Sequence, residues 1–321
     1  MYGFFAHFAE DYGIYLVILW LCKAGSKALQ INCRVMCPYP AVAFSIRLRG
    51  KLMCFDTPKV MGVINITPDS FYAGARIGLN DLETRVDKMI SEGADIIDIG
   101  ACSTRPGSKC PDQQEELTRL LPALGLIRKT WPDFPLSVDT FRAEVARVAV
   151  EDYQVDIIND ISAGSLDADM FPVAARLQVP YVLSHIQGRP ENMQQDPHYR
   201  HLMAEICSDL AFNASRLRDL GLNDLIIDPG FGFGKSLENN YELLRRLEDL
   251  YILEAPIMVG LSRKSFIYNL LNASPEEALN GTTVANTLAL WLGAHILRVH
   301  DVRQAAECVR MVQLCKKAGL C

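Results

Sequence analysis

Residues 94–108 read ADIIDIGACSTRPGS: a short β-branched run, Ala94–Gly100, with Asp98 near its end, followed by a loop of hydroxyl, guanidinium, proline and glycine groups. A run this short and this apolar, closed by glycine, reads as a buried strand. The same pattern recurs on both sides of it. KVMGVINI (Lys59–Ile66) precedes it. LSVDT (Leu136–Thr140), DIINDI (Asp156–Ile161), PYVLSHI (Pro180–Ile186), DLIIDPG (Asp224–Gly230), PIMVGLS (Pro256–Ser262) and HILRVH (His295–His300) follow, eight runs in all. Between them Leu82–Ser91, Glu115–Lys129, Ala143–Glu151, Ala204–Leu220 and Glu276–Leu292 carry apolar residues at helical spacing, and Val302–Ala318 reads as a last outer helix. Strand–helix alternation predicts a parallel sheet with helices outside it. Eight units, spaced about 34 residues apart, predict an α/β fold of the closed (β/α)8 TIM-barrel type. The expected organisation is an N-terminal extension over residues 1–50 and one barrel domain over residues 51–321. Ser45–Phe55 (SIRLRGKLMCF) is expected to form a hairpin closing the bottom of the barrel.

The composition fits that fold and excludes several functions. Half of the 321 residues are hydrophobic, ample for a large core, and the net charge is -6 with a pI of about 5.6. Basic residues are not clustered, so no nucleic-acid partner is expected. None of the ten cysteines lies at a zinc-binding spacing, and a chain this long needs no disulfide framework. Free, mostly buried thiols in a reducing cytoplasm are the expectation. Ile14–Cys22 (IYLVILWLC) is apolar but shorter than the roughly 20 residues that span a bilayer. The acids Glu10 and Asp11 precede it where a signal peptide would carry basic residues, so no membrane partner is expected. The run reads as a peripheral helix, as a weak membrane-surface contact, or as the product of a start codon placed too far upstream. The last reading is preferred for Met1–Val35, with Met36 and Met53 as alternative starts.

Parallel barrels place their chemistry at the C-terminal ends of the strands. Those ends carry Asn65, Asp98, Asp139, Asn159, His185, Asp228, Lys264 and the Arg298/His300 pair. Each alone reads as a cap or a turn; together they predict a converging polar site for a phosphate-bearing organic substrate. Asn65, in INITPDSF, either caps the turn before Pro68 or offers a neutral oxygen to Mg2+, which takes its other ligands from phosphate and water. STRPGS (Ser103–Ser108) is either a plain turn or a loop whose donors close on an anion. Asp139, Asn159 and Asp228 could each be a helix N-cap. As a set they suit a planar heterocycle such as an aminopyrimidinone, because a carboxylate takes two parallel N–H donors. DPGFGFGKS (Asp228–Ser236) lacks both the P-loop and the dinucleotide-binding spacing. It reads as a loop needing close backbone approach, with Phe231 and Phe233 as pocket walls. Lys264, Arg298 and His300 follow the last two strands, the usual phosphate site of such barrels. Arg298 and His300 flank Val299 and should face one side, the barrel interior. An interior Arg then requires an anion or a carboxylate beside it.

With these residues placed, the chain resembles the dihydropteroate synthase family of pterin-binding barrels. The matching motifs run in order from about Lys59 to the C-terminus: MGVINITPDSF, DIGACSTRPGS, SVDT, IINDISAG, SHIQGRPENMQ, DPGFGFGK, GLSRKSF, NGTTVANTLAL and GAHILRVHDV. The resemblance implies a transferase of folate biosynthesis. The amine of 4-aminobenzoate would displace diphosphate from 6-hydroxymethyl-7,8-dihydropterin diphosphate to give 7,8-dihydropteroate. It implies Mg2+ on Asn65, diphosphate on Thr104, Arg298 and His300, the pterin ring on Asp139, Asn159, Asp228 and Lys264, and Arg105 as a further substrate-binding residue. Phe71, Pro106, Phe233 and Ser265 would form the aminobenzoate pocket, with Lys264, Arg298 and His300 as the catalytic groups. Ser265 also stands where a helix should begin. A homodimer built on outer helices within Thr282–Leu292 and Ala305–Leu314 is implied, as is inhibition by sulfonamides, which mimic 4-aminobenzoate. The loops Thr67–Arg76 and Cys102–Lys109 are expected to close over the site.

Three positions depart from the family pattern. The loop acid of PDSFSDGG is Ala73 here, DIGG becomes DIGA at Ala101, and MHM becomes SHI at Ser184. The Ala73 departure motivates one alternative, a non-catalytic pterin-binding paralogue. A methyl-folate-dependent methyltransferase with a corrinoid partner is the other; it would share the pterin-holding set but have no need of Lys264, Arg298, His300 and STRPGS.

Overall fold

The computed structural model describes residues 44–66, 75–102, 110–188, 193 and 197–318, with the side chains of residues 75–80 excepted. The apolar run Ile14–Cys22 and the proposed start region Met1–Val35 lie outside the described residues, as do Phe71, Ala73, Thr104, Arg105, Pro106 and residues 67–74 and 103–109 of the two loops expected to close. Residues 43–321 form one compact unit.

A hairpin of β1 (Ser45–Leu48) and β2 (Lys51–Cys54) opens the described chain. Eight parallel strands follow: β3 (Lys59–Asn65), β4 (Ile96–Gly100), β5 (Leu136–Asp139), β6 (Ile157–Asp160), β7 (Tyr181–Ser184), β8 (Leu225–Asp228), β9 (Met258–Val259) and β10 (Ile296–Val299). They are ordered β8-β7-β6-β5-β4-β3-β10-β9, and a parallel bridge from Ile227 to Ile257 brings the two ends of the sheet together. The outer helices are α1 (Ala75–Glu92), α2 (Gln113–Thr130), α3 (Ala143–Tyr153), α4 (Met170–Leu177), α5 (Leu202–Asp219), α6 (Leu237–Arg245), α7 (Ser265–Leu270), α8 (Leu279–Trp291) and α9 (Val302–Ala318), with a 3-10 turn over Leu247–Leu253. This is the expected (β/α)8 barrel. No helix among the described residues is long and apolar enough to cross a membrane.

The two-residue period of the strands sorts their side chains into an inside and an outside. Outward residues such as Val60, Ile64, Ile97, Ile99, Val138, Leu183, Ile227 and Val299 join the apolar faces of the helices in one core. Inward residues form layers. The lowest consists of Met61, Ile96, Ile157, Val182, Ile226, Met258 and Ile296, and it packs against Ile46, Leu48 and Phe55. The hairpin therefore plugs the bottom of the barrel, as its sequence predicted. Two residues further along β4, β6, β7, β8 and β10 the inward positions are polar: Asp98, Asn159, Ser184, Asp228 and Arg298. The apolar floor and the polar layer above it follow from one alternation.

Where the structure departs from expectation the causes are local. PIMVGLS yields only the two residues of β9, because the chain turns at Leu261, whose carbonyl accepts the Lys264 N–H at 3.3 Å. Helix α6 starts at Ser236, which accepts from the Asn239 N–H while the Asn239 side chain accepts from the Ser236 N–H. Among the cysteines, Cys102 and Cys110 are joined by a disulfide, which corrects the expectation of free thiols there. The chain leaves β4 at Cys102 and returns at Cys110 just before Asp112, the N-cap of α2, so the two Cα atoms stand 5.0 Å apart. That separation suits a bridge. Of the other described cysteines only Cys308 is buried, while Cys54 and Cys315 are exposed, so the expectation of burial also fails for most of them.

Candidate active site

The polar layer is tied together by one cation. Arg298 Nε donates to Asp98 Oδ2 at 2.7 Å, and its Nη2 lies 2.6 Å from Asp98 and 2.5 Å from Asp139. Asn159 Nδ2 donates to the same Asp98 oxygen at 3.1 Å. Four strands thus contribute to a single network. The sequence called for an anion or a carboxylate beside an interior Arg, and Arg298 has two carboxylates. Asp98 is fully buried, and its Oδ1, like Ser184 Oγ, has no hydrogen-bond partner among the described residues. Burial pushes Asp139 up to about 7; Arg298 pulls it down, while Asp98 and Glu116 push it up further. Burial works against the Arg298 charge, but Asp98 and Asp139 outweigh it and hold the guanidinium above its ordinary pKa.

A second charged cluster adjoins Asp139. Thr140, its neighbour, donates to the buried Glu116 at 2.7 Å, and Arg142 pairs with the same carboxylate. Arg142 also donates to Pro111 O at 2.6 Å, and Arg119 to Ala101 O at 3.4 Å. Both flanks of the disulfide are therefore held by arginines.

Across the barrel mouth, Asp228 accepts from the Gly230 N–H at 2.8 Å and is raised by burial against the opposing pull of Lys264. Lys264 donates to Phe231 O and its ammonium sits 4.3 Å from the centre of the Phe233 ring. Burial lowers it to about 8, although Asp228 favours its charge. Phe231 and Phe233 are both buried, consistent with walls.

The sequence-predicted residues divide into three groups. Asp139, Asn159 and Arg298 meet in one network, with Asp98, which carried no assigned role. Asp228, Lys264 and Phe233 form the opposite side, and Ser265 begins α7 as expected. Asn65, half-buried, closes β3 opposite Gly100. Lys264 is not a strand end: it precedes α7, five residues beyond Val259. His300 lies one residue beyond the end of β10 and is exposed, its Nδ1 3.0 Å from Ser262 Oγ. His185 likewise follows β7 rather than ending it; Ser184 is the inward residue there. Sequence reasoning also passed over Lys235, which is buried at 3 % exposure behind the glycine-rich loop.

A family model described as "Pterin binding enzyme" matches residues 61–300. The chain belongs to the family of pterin-binding enzymes. Within it, the chain is 40% identical over 272 residues to the dihydropteroate synthase of Escherichia coli strain K12, covering 83% of this chain and 94% of that one. The Yersinia pestis dihydropteroate synthase solved with a sulfonamide drug complex superposes with a TM-score of 0.80 at 38% identity, covering 85% of this chain and 100% of the other. The Xanthomonas albilineans dihydropteroate synthase with 4-aminobenzoic acid superposes at 0.77 and 37% identity, covering 85% and 98%.

Proposed function

We propose that this chain condenses 4-aminobenzoate with 6-hydroxymethyl-7,8-dihydropterin diphosphate, releasing diphosphate and forming 7,8-dihydropteroate. The observation that carries the reading is the convergence of Asp139, Asn159 and Arg298 on one rim of the barrel with Asp228 and Lys264 on the other. Asp139, Asn159 and Asp228 would take the donors and acceptors of the pterin ring, and Lys264 its carbonyl edge. Arg298 and His300, with Thr104 and Arg105 from the loop outside the described residues, would take the diphosphate. Phe71, Pro106, Phe233 and Ser265 would border the aminobenzoate.

The chemistry asks for electrostatics rather than a nucleophile. As the C–O bond breaks, charge builds on the bridging oxygen of the leaving diphosphate, and cations fixed beforehand stabilise it. The Arg298 guanidinium is already oriented by two carboxylates, so little reorganisation is needed at that moment. The positive charge left on the pterin methyl carbon is favoured by nearby ionised acids. An aromatic amine attacks with its own lone pair, so no Ser–His–Asp or Cys–His constellation is called for.

Mg2+ fits the donor set only in one way. Among the described residues no three His, Cys, Asp or Glu stand together as a cage. Asn65 would hold the ion through its amide oxygen, the diphosphate and water supplying the remaining ligands, and the ion when bound would neutralise leaving-group charge.

A cytoplasmic homodimer is part of the proposal. Val284, Leu288 and Trp291 on α8 and Met311 and Leu314 on α9 are exposed apolar residues that a second copy would cover. Sedimentation at two protein concentrations checks it. Growth of a folate-requiring strain that lacks its synthase, once supplied with this chain, checks the activity; failure to grow, with no diphosphate released by the purified protein, would sink the proposal.

A further inference from the structure

The glycine-rich loop after β8 is packed by backbone on backbone. Gly230 and Gly234 both have positive φ (69° and 61°), and a Cβ at either would collide with the carbonyl of His185 or Gln187. Such a loop lies inside the protein with its carbonyls turned inward and no strand ladder to receive them. Buried carbonyls require donors. Lysines supply three of these contacts. Lys264 reaches Phe231 O from the turn before α7. Lys235 reaches Gly230 O at 2.9 Å, Phe233 O at 3.2 Å and His185 Nδ1 at 3.0 Å.

The two lysines are not equivalent. An ammonium has three donors, and all of those on Lys235 are taken by protein groups. It is 3 % exposed and nothing is left for a substrate. What it holds is the backbone on either side of Phe231, up to Phe233, whose ring lies under the Lys264 ammonium. It also ties this loop to the segment after β7 through His185. Burial lowers Lys235 to about 7; Asp228 and Asp209 favour its charge, while Lys264 opposes it.

We propose that Lys235 is a positioning residue for the substrate pocket: it fixes the Phe231–Phe233 turn, and through Phe233 sets the aminobenzoate wall and the seat of the Lys264 side chain. The proposal rests on the reading of Phe233 and Lys264 given under the proposed function. Its action is indirect, so its signature is coupling to Phe233 rather than direct contact with substrate.

The test is a double-mutant cycle read by diphosphate release from the full-length protein. An inactive parent protein would refute the functional reading and this inference with it, whereas an active parent isolates the inference. In Lys235→Met the KM for 4-aminobenzoate is expected to rise tenfold or more, with kcat changing less. Phe233→Ala alone should raise the same KM. The double variant should then be no worse than the larger single change, because Lys235 works through the side chain already removed. Multiplying effects, or an unchanged aminobenzoate KM in folded Lys235→Met, overturn the proposal. If Lys235→Met does not fold, Lys235→Gln, which keeps two donors, is read in the same cycle; a smaller rise in KM supports the proposal and an unchanged KM overturns it.

Discussion

The guanidinium of Arg298 bridges Asp98 and Asp139: one nitrogen, Nη2, stands 2.6 Å from the first carboxylate and 2.5 Å from the second. The three residues come from β10, β4 and β5, so the last strand of the barrel is tied to two near its start. A cation held between two buried acids offsets one negative charge and is shared by both, so removing it leaves more charge uncompensated in the interior.

Arg298→Ala should therefore act twice. Turnover should drop on the order of 10², as for a lost contact to developing charge. Stability should drop by about 3 kcal/mol, near the lower end for a broken buried pair, because Asp139, already raised to about 7, can take up a proton instead. Steady-state kinetics and urea unfolding measure the two separately. Near-normal turnover in a folded variant removes Arg298 from the mechanism.

The pH dependence of kcat/KM should be bell-shaped. Asp139 ionises near 7, so activity rises through that region, and Lys264 loses its proton near 8, so activity falls above it. The stability consequences have opposite signs. Asp139 keeps its proton longer when folded, so stability declines as pH climbs from its ordinary 3.8 to about 7. Lys264 sheds its proton earlier when folded, so its contribution grows as pH climbs from about 8 to 10.5. A flat kcat/KM profile across this range would count against both assignments.

The Cys102–Cys110 bridge closes a short loop, with a sequence separation of 8. Closing so small a loop restricts the unfolded chain by roughly 2–3 kcal/mol. Reduction, or the paired change of Cys102 and Cys110 to Ser, should lower the urea midpoint accordingly, and reduction should also expose two further thiols to titration. An unchanged midpoint would show that the bridge contributes nothing to stability.

The barrel floor offers a stability test that leaves the mouth alone. Ile46 is 1 % exposed and packs from the hairpin against the lowest inward layer. Ile46→Ala should cost about 2–4 kcal/mol, while folded molecules keep their turnover. Loss of turnover in the folded fraction would mean that floor and mouth are coupled.

Much of this was legible in the sequence because two regular patterns coincide. β-branched runs alternate with helical spacing, and in β4, β6, β7, β8 and β10 a polar residue falls on the inward phase. Arg298 is the clearest instance: flanked by Leu297 and Val299, both packed outward, it had to face the interior. The pattern fails where strands are short. β9 ends at Val259, so Lys264 is placed by a turn and not by strand alternation. His300 lies one residue past β10, where the two-residue period no longer applies. Helix α6 escaped notice because its capping box uses Asn239 in place of Glu or Gln. Lys235 escaped because a lysine beside glycines reads as solvated unless its acceptors are known, and those acceptors are backbone carbonyls that no sequence displays.

The short β9 has a further consequence, in how the barrel breathes. Between β8 and β9 the sheet is closed by a bridge at Ile227 and Ile257, with the Ile227 N–H donating to Pro256 O at 2.9 Å. Every other neighbouring pair of barrel strands shares at least two register partners. Local opening disrupts fewest contacts at that seam, so amide hydrogen exchange at Ile227 should be faster than at the equally buried Ile97. Asp228 stands on one lip of the seam and Lys264 follows the other. A heterocycle gripped by both would act as a rivet, and its binding at the mouth would be felt as slowed exchange in the wall beneath.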